Sequence, residues 1–407
     1  MEFRPYLVPL YAAATLFPRA LSLPSLPETV QFTELIFPLA LWSFRREVTE
    51  QVRRYRWLSL ALAGYLLANF ISATVAGSIA ALVEAGARVY LGLLAYIVLA
   101  HVECYGIRSV ASWWRITTAG VAVACILKYV GLLLGLSGPG GWIVYVPDYP
   151  IFGTVYRLRG TATVFGMMYM LLLPGLLLCY ARLRAGRGSG AIVVLILLAA
   201  AVTLAKENVL FFIGAVLLEL RHRATSFHGP LLLVAVGLVG FLLLSTHFLV
   251  QPRGQDLTAT IYTSGRTVYT GEDYVIAETN YTANKRAALI IGRENPWFGV
   301  GPGRFQDHTD DLVLHSQYPA HFGRFNPHSA WTGAFAETGL LGLLGLIALV
   351  ASLLYYRPAH WTVAAVLLLL FLVASVFKDV MNFRGLWVLV GLYLAGTTSR
   401  EVAGVRV

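Results

Sequence analysis

Apolar runs near the ~20 residues needed to cross a bilayer recur along this whole chain. Short arginine-bearing stretches and one long polar interval break them. The runs predict about twelve spanning helices, near 5–22, 29–44, 57–74, 84–103, 115–136, 162–181, 190–205, 207–220, 229–249, 329–356, 360–377 and 384–398. Runs 190–205 and 207–220 meet at Lys206-Glu207-Asn208, as a tight hairpin or as one broken run. The first run has no clear small-residue cleavage site and is read as a span, not a signal peptide. The expected fold is an all-α integral membrane protein: residues 1–249 carry helices 1–9, 250–328 form a large, partly helical loop, and 329–407 carry helices 10–12. Within the loop, Asp273 to Ile291 predicts one or two amphipathic helices packed over the bundle. Asn295-Pro296, with Gly299, Gly301, Pro302 and Gly303, should end them in a turn.

Composition agrees. Of 407 residues 57% are hydrophobic and 13% charged, where a soluble domain carries about a quarter charged. The net charge of +10 is scattered between runs, which argues against nucleic acid and for a topology signal. Arg45, Arg46, Arg53, Arg54, Arg56, Arg108, Arg115, Arg182, Arg184, Arg187, Arg221, Arg223, Arg357, Arg400 and Arg406 all fall on one side of a twelve-span arrangement, in every second loop and the tail. The positive-inside rule then puts both termini in the cytoplasm and the long loop outside the cytoplasmic membrane. Cys104, Cys125 and Cys179 sit in or beside apolar runs, without metal or disulfide spacing. Lysine is scarce, at Lys128, Lys206, Lys285 and Lys378, and genome base composition is enough to account for that.

Polar groups kept between spans are costly and mark working sites. His328 stands in Asn326-Pro327-His328-Ser329, where the loop re-enters the membrane. A neutral imidazole there can take a proton from a hydroxyl, or it can simply pack the helix start. Outer basic residues suited to phosphate oxygens are Arg157, Arg159, Lys206, Lys285, Arg286, Arg293, Arg304 and Arg324. Pairing with the loop's many carboxylates is the alternative fate for each. Glu84 and Arg88 are spaced for an i,i+4 pair, and Glu337 lies about two and a half turns below His328. His308, His315, His321 and His328 match no metal spacing. There is no nucleotide-binding loop, so no cofactor is expected.

Two passages, Asn295-Pro296-Trp297-Phe298-Gly299-Val300-Gly301-Pro302-Gly303-Arg304-Phe305 and His328-Ser329-Ala330-Trp331 through Glu337-Thr338-Gly339-Leu340-Leu341-Gly342, resemble the O-antigen ligase and O-antigen polymerase superfamily of polytopic membrane glycosyltransferases. The resemblance is strongest over roughly 260–345. Ser329 stands where Asn is common. Thr203-Leu204-Ala205-Lys206-Glu207-Asn208 departs from a Thr-x-Ser-Arg-Gly passage, keeping a cation as Lys206. The resemblance implies a GT-C-like bundle in the bacterial cytoplasmic (inner) membrane. It implies transfer of a glycan from undecaprenyl diphosphate to a hydroxyl of lipid A–core on the periplasmic face, inverting and metal-independent. By the same resemblance His328 activates the acceptor, and Arg159 and Arg286 hold the leaving diphosphate. Arg157, Arg88, Lys206, Arg304 and Glu337 contribute to substrate binding. The partners implied are the lipid-linked glycan donor, lipid A–core or a growing glycan as acceptor, and membrane lipids. Alternatives are an O-antigen or exopolysaccharide polymerase, a protein O-oligosaccharyltransferase, and a transporter for the lipid-linked glycan.

Overall fold

The computed structural model describes residues 3–18, 31–138, 140–149, 153–162, 167–222, 228–258, 262–322, 325–358 and 362–398. Each predicted span holds a helix. In order these are α1 (Arg4–Ala14), α2 (Phe32–Arg54), α3 (Arg56–Val75), α4 (Ile79–Tyr105), α5 (Ile107–Leu133), α6 (Met168–Arg184), α7 (Gly190–Ala201), α8 (Val209–His222) and α9 (His228–His247). The loop contributes α10 (Asn280–Glu294) and α11 (Thr309–Leu314); α12 (Ala330–Tyr355), α13 (Val363–Ala374) and α14 (Arg384–Thr398) follow. Helices α3, α4, α5, α12 and residues Gly229–His247 of α9 are long and apolar enough to cross a membrane. Their outward faces are apolar too, with Leu60, Leu67, Leu127, Leu233, Leu244 and Leu344 exposed. Large apolar side chains exposed on long apolar helices are compatible with insertion in a membrane.

Helix α2 runs ten residues past the predicted 44. Phe44, Val48 and Gln51 continue its buried stripe with neither Gly nor Pro between them, so the basic stretch 45–54 extends a helix instead of forming a loop.

The all-α expectation is corrected. Strands β1 (Ile143–Tyr149) and β2 (Gly153–Leu158) form an antiparallel hairpin. Strands β3 (Phe248–Pro252), β4 (Thr263–Thr270) and β5 (Tyr274–Thr279) form a sheet ordered β3-β5-β4. The segment expected to be helical from Asp273 is therefore strand up to Thr279. Val275, Ile276 and Thr279 are β-branched and suit a pleated, half-buried surface, and β5 is hydrogen-bonded on both edges. Beyond the sheet, Ala283, Ala287, Ile291, Val300, Phe305, Leu312, Tyr318 and Phe322 make a small core that reaches Ala336 of α12.

The two sequence passages turn out to be one structural unit. Helix α12 opens at Gly339 (φ 64°, ψ −162°). Val300 and Gly301 N–H donate to the freed carbonyls of Ala336 and Glu337 at 3.0 and 2.8 Å, and Leu340 N–H donates to Pro296 at 2.8 Å. Ser72 of α3 donates its hydroxyl to the Glu337 carbonyl at 2.7 Å. Backbone groups left unpaired in hydrocarbon each cost several kcal/mol, so the loop completes the helix. The approach needs glycine on both sides. A Cβ on Gly299 (φ 65°) would lie 2.3 Å from the Glu337 carbonyl carbon, and one on Gly339 2.3 Å from that of Trp297. Gly339→Ala is accordingly expected to lose about 1–3 kcal/mol for its dihedrals alone, and more for the clash. A thermal melt in detergent checks this, and an unchanged Tm would contradict the clamp.

Candidate functional site

The site is built around Tyr281, in the first turn of α10. Thr279 takes the extended N-cap conformation, and the helix then carries Tyr281 and Lys285 one turn apart on one face. Three other segments deliver cations or an acid to that face. Lys206 and Glu207 come from the turn between α7 and α8, Lys378 from the connection between α13 and α14, and His247 from the end of α9. The Lys206 ammonium lies 4.7 Å from the Tyr281 ring centroid and that of Lys378 5.0 Å away, both within cation–π range. Lys378 also donates to the Tyr281 oxygen at 2.9 Å and stands 3.4 Å from Glu207. The Tyr281 hydroxyl donates to Glu207 at 3.2 Å. Lys206 donates to the Ser245 carbonyl at 2.5 Å, and Lys285 to His247 Nε2 at 2.9 Å.

His328 closes the cluster. Its ring lies 4.8 Å from that of Tyr281 and 5.8 Å from that of Phe325. Its backbone is left-handed, with φ 50°, a conformation that costs a non-glycine residue about 1–3 kcal/mol. Asn326 Oδ1 accepts from the His328 N–H at 3.2 Å. Capping of α12 falls to Ser329, whose hydroxyl accepts from Thr332 N–H, which leaves the imidazole out of the cap. Among the described residues no hydrogen bond ties down the ring nitrogens.

The electrostatics follow from three ammonium groups sharing one partly covered volume with one carboxylate. Burial, then the fields of Lys378, Lys285 and Lys206, push the His328 pKa down to about 3, so the imidazole is neutral. Burial, reinforced by Lys378 and Lys285, brings Lys206 down to about 8, and burial brings Lys285 down to about 8. Burial opposes the charge on Lys378 as well, but Tyr281 and Glu207 beside it hold its pKa above the ordinary range. The arrangement is a cationic cradle next to a free, uncharged base.

Of the residues singled out from sequence, His328, Lys206 and Lys285 are brought together. Arg286 turns away, since it lies about 100° around α10 from Lys285; it makes a two-pronged ion pair with Glu278 at 3.0 and 2.9 Å. Arg159 donates to the Gly141 carbonyl at 3.1 and 2.7 Å. Arg157 is buried and donates to the Thr203 carbonyl at 3.0 Å and to the Tyr262 hydroxyl at 3.3 Å, so it braces the turn that carries Lys206. Arg88 and Glu337 pair at 3.0 Å, with Asn69 also bound by Arg88 and Glu84 at 3.9 Å in the expected i,i+4 relation. That buried group sits beside the opening of α12. Arg304 pairs with Asp307 at 2.9 Å. Arg324 lies outside the described residues. His315 and His321 each face a backbone carbonyl, of Asp311 and Thr263.

Sequence reasoning missed Tyr281, Glu207, His247 and Lys378 as site residues, and put Arg286 where Lys285 belongs. One signal was present. Only four of the chain's 31 basic side chains are lysines, and three of the four meet here. Comparison of the chain with protein-family models and with curated proteins finds no match, so the family likeness rests on the residues quoted above.

Proposed function

We propose that this protein is a membrane glycosyltransferase of the O-antigen ligase type. It moves a glycan from undecaprenyl diphosphate to a hydroxyl of lipid A–core on the periplasmic face of the bacterial inner membrane, with twelve spans and both termini cytoplasmic. The observation that supports this most is the convergence of Lys206, Lys285 and Lys378 beside the neutral imidazole of His328.

In the proposed reaction the acceptor hydroxyl gives its proton to His328 as its oxygen attacks the anomeric carbon. The bond from that carbon to the diphosphate breaks, and the electron pair leaves with the diphosphate. Charge builds on the leaving oxygen in a cation-like transition state, so fixed ammonium groups there favour the transition state over the bound donor. Direct attack inverts the anomeric centre. A pKa of about 3 would make His328 a feeble base. However, the depression comes partly from the three lysines, and the donor's diphosphate offsets their field. Donor binding thus arms the base.

In kcat/KM, which reports free enzyme, no acid limb from His328 is expected above pH ~4. An alkaline limb is expected near pH 8, where Lys206 and Lys285 lose the protons that hold the donor. In kcat, which reports the complex, the acid limb moves up towards the ordinary imidazole value of ~6.5 and the alkaline limb moves above 8. Identical limbs in both parameters would contradict an armed base.

Purified protein with undecaprenyl diphosphate-linked repeat units, with and without lipid A–core, tests the reaction itself. Product that requires lipid A–core establishes a ligase. A ladder of longer lipid-linked glycans without it establishes a polymerase. Glycan on protein acceptors makes it a protein oligosaccharyltransferase, and absence of any transfer sinks the enzyme reading in favour of transport.

A further inference from the structure

The polar cluster has an apolar extension. Helix α7 packs mainly on α5 and α6, while α8 packs on α6, α9 and α13. The two helices diverge from the turn where Leu204 is left-handed (φ 51°). Between them a groove of about 260 Å³ opens, floored by Leu172, Leu173 and Leu176 of α6 and walled by Val194, Leu198 and Phe212. By the same measure one water needs only ~10–15 Å³. The floor is covered, with Leu173 3% exposed, whereas Val194, Leu198 and Phe212 are 55%, 52% and 52% exposed. The groove therefore opens sideways, towards lipid. From Tyr169 to Leu176 along α6 it is roughly 10 Å deep.

Its outer end is polar and shared with the cluster. Glu207 lines the groove and is also the partner of Lys378 and Tyr281. Beside it lie Asn208 and Tyr169, both groove-lining. The Tyr169 hydroxyl, on a side chain 2% exposed, and Asn208 Oδ1 are buried without a hydrogen-bond partner. Unmet polar atoms of this kind call for a polar ligand group. The slot opens to the bilayer and ends on a hydrogen-bonding mouth, where Glu207 is ion-paired to Lys378 just beyond the lining; this suits a hydrocarbon chain whose polar head reaches past Glu207 to the lysines.

We propose that the groove between α7 and α8 seats the first part of the donor's isoprenoid chain, admits it sideways from the bilayer, and presents its diphosphate to Lys206 and Lys378. This rests on the proposed function. It adds which face the donor enters by, and it makes Tyr169 and Asn208 hydrogen-bonding partners of the polar end.

The test uses whole protein in detergent and two probes, polyprenyl diphosphate and inorganic diphosphate. Ala201→Trp adds bulk at an exposed lining position. It is expected to weaken polyprenyl diphosphate at least tenfold and to leave inorganic diphosphate unchanged. Unchanged affinity for both probes overturns the groove while the functional reading stands. If wild-type protein binds neither probe, both fall. A benzophenone side chain at Leu198 supplies a measurement that needs no packed residue replaced. It should capture polyprenyl diphosphate in lipid nanodiscs, and the same group at Leu67 on α3 should not. Equal capture at both positions, or equal capture of a phosphatidylglycerol probe at Leu198, would make the groove a seat for bulk lipid and overturn the proposal.

Discussion

His328→Ala is expected to lower turnover by roughly 10²–10⁴-fold, the usual range for a positioned general base, and to leave donor affinity within a few-fold of wild type. The reason is geometric. The imidazole carries no hydrogen bond from the described residues and does not cap α12, a task done by Ser329. Its removal takes away ring contacts with Tyr281 and Phe325 but no polar partner. Truncation relieves the left-handed strain only slightly, since alanine dislikes φ 50° as well, so the melt should move little. Single-turnover assays with donor binding measured in parallel separate the two effects. If binding and turnover fell together, His328 would be a donor contact or a packing residue and not the base.

Lys378→Met is expected to cost about 3–5 kcal/mol of stability, because it strands Glu207 as a buried charge without its ion-pair partner. It should also cost activity. The informative variant is the double change Lys378→Met with Glu207→Gln. Removing both charges should recover most of the stability, yet turnover should stay down by roughly 10²-fold, as when one preorganised transition-state donor is removed. Thermal melts and initial rates on the wild type and both variants check this. Recovery of both properties in the double variant would make the pair a structural brace and take Lys378 out of the cradle.

Helix positions were legible because apolar periodicity is local. All twelve runs hold helices, and the loop's closing turn falls at Asn295 as expected. His328 was legible as well, because Pro327 and Ser329 mark a helix start. What lay beyond reach was the meeting of distant segments. Lys378 reaches Tyr281 across 97 residues, and no spacing announces such a contact. Arg286 misled because one position around α10 is ~100°, enough to exchange the cradle for a surface ion pair with Glu278. The strand Tyr274–Thr279 hid behind a helix-like spacing that its neighbours, Phe248–Pro252 and Thr263–Thr270, override by pairing. Glycine-rich Asn295 to Gly303 was readable as a turn, but its docking into a break in α12 was not, because the break depends on Gly339 accepting φ 64°.

Three lysines that hold a diphosphate beside an uncharged imidazole must discriminate lipids by the charge of their head. The measurement is the affinity of wild-type protein for polyprenyl diphosphate, polyprenyl monophosphate and polyprenol at pH 7. Charge-assisted hydrogen bonds add about 1.5–3 kcal/mol each, and 1.4 kcal/mol is tenfold. The diphosphate should therefore bind at least tenfold tighter than the monophosphate, with the alcohol weakest, and Lys206→Met with Lys285→Met should erase most of that order. Equal affinity for all three lipids would show that the lysines do not hold a diphosphate.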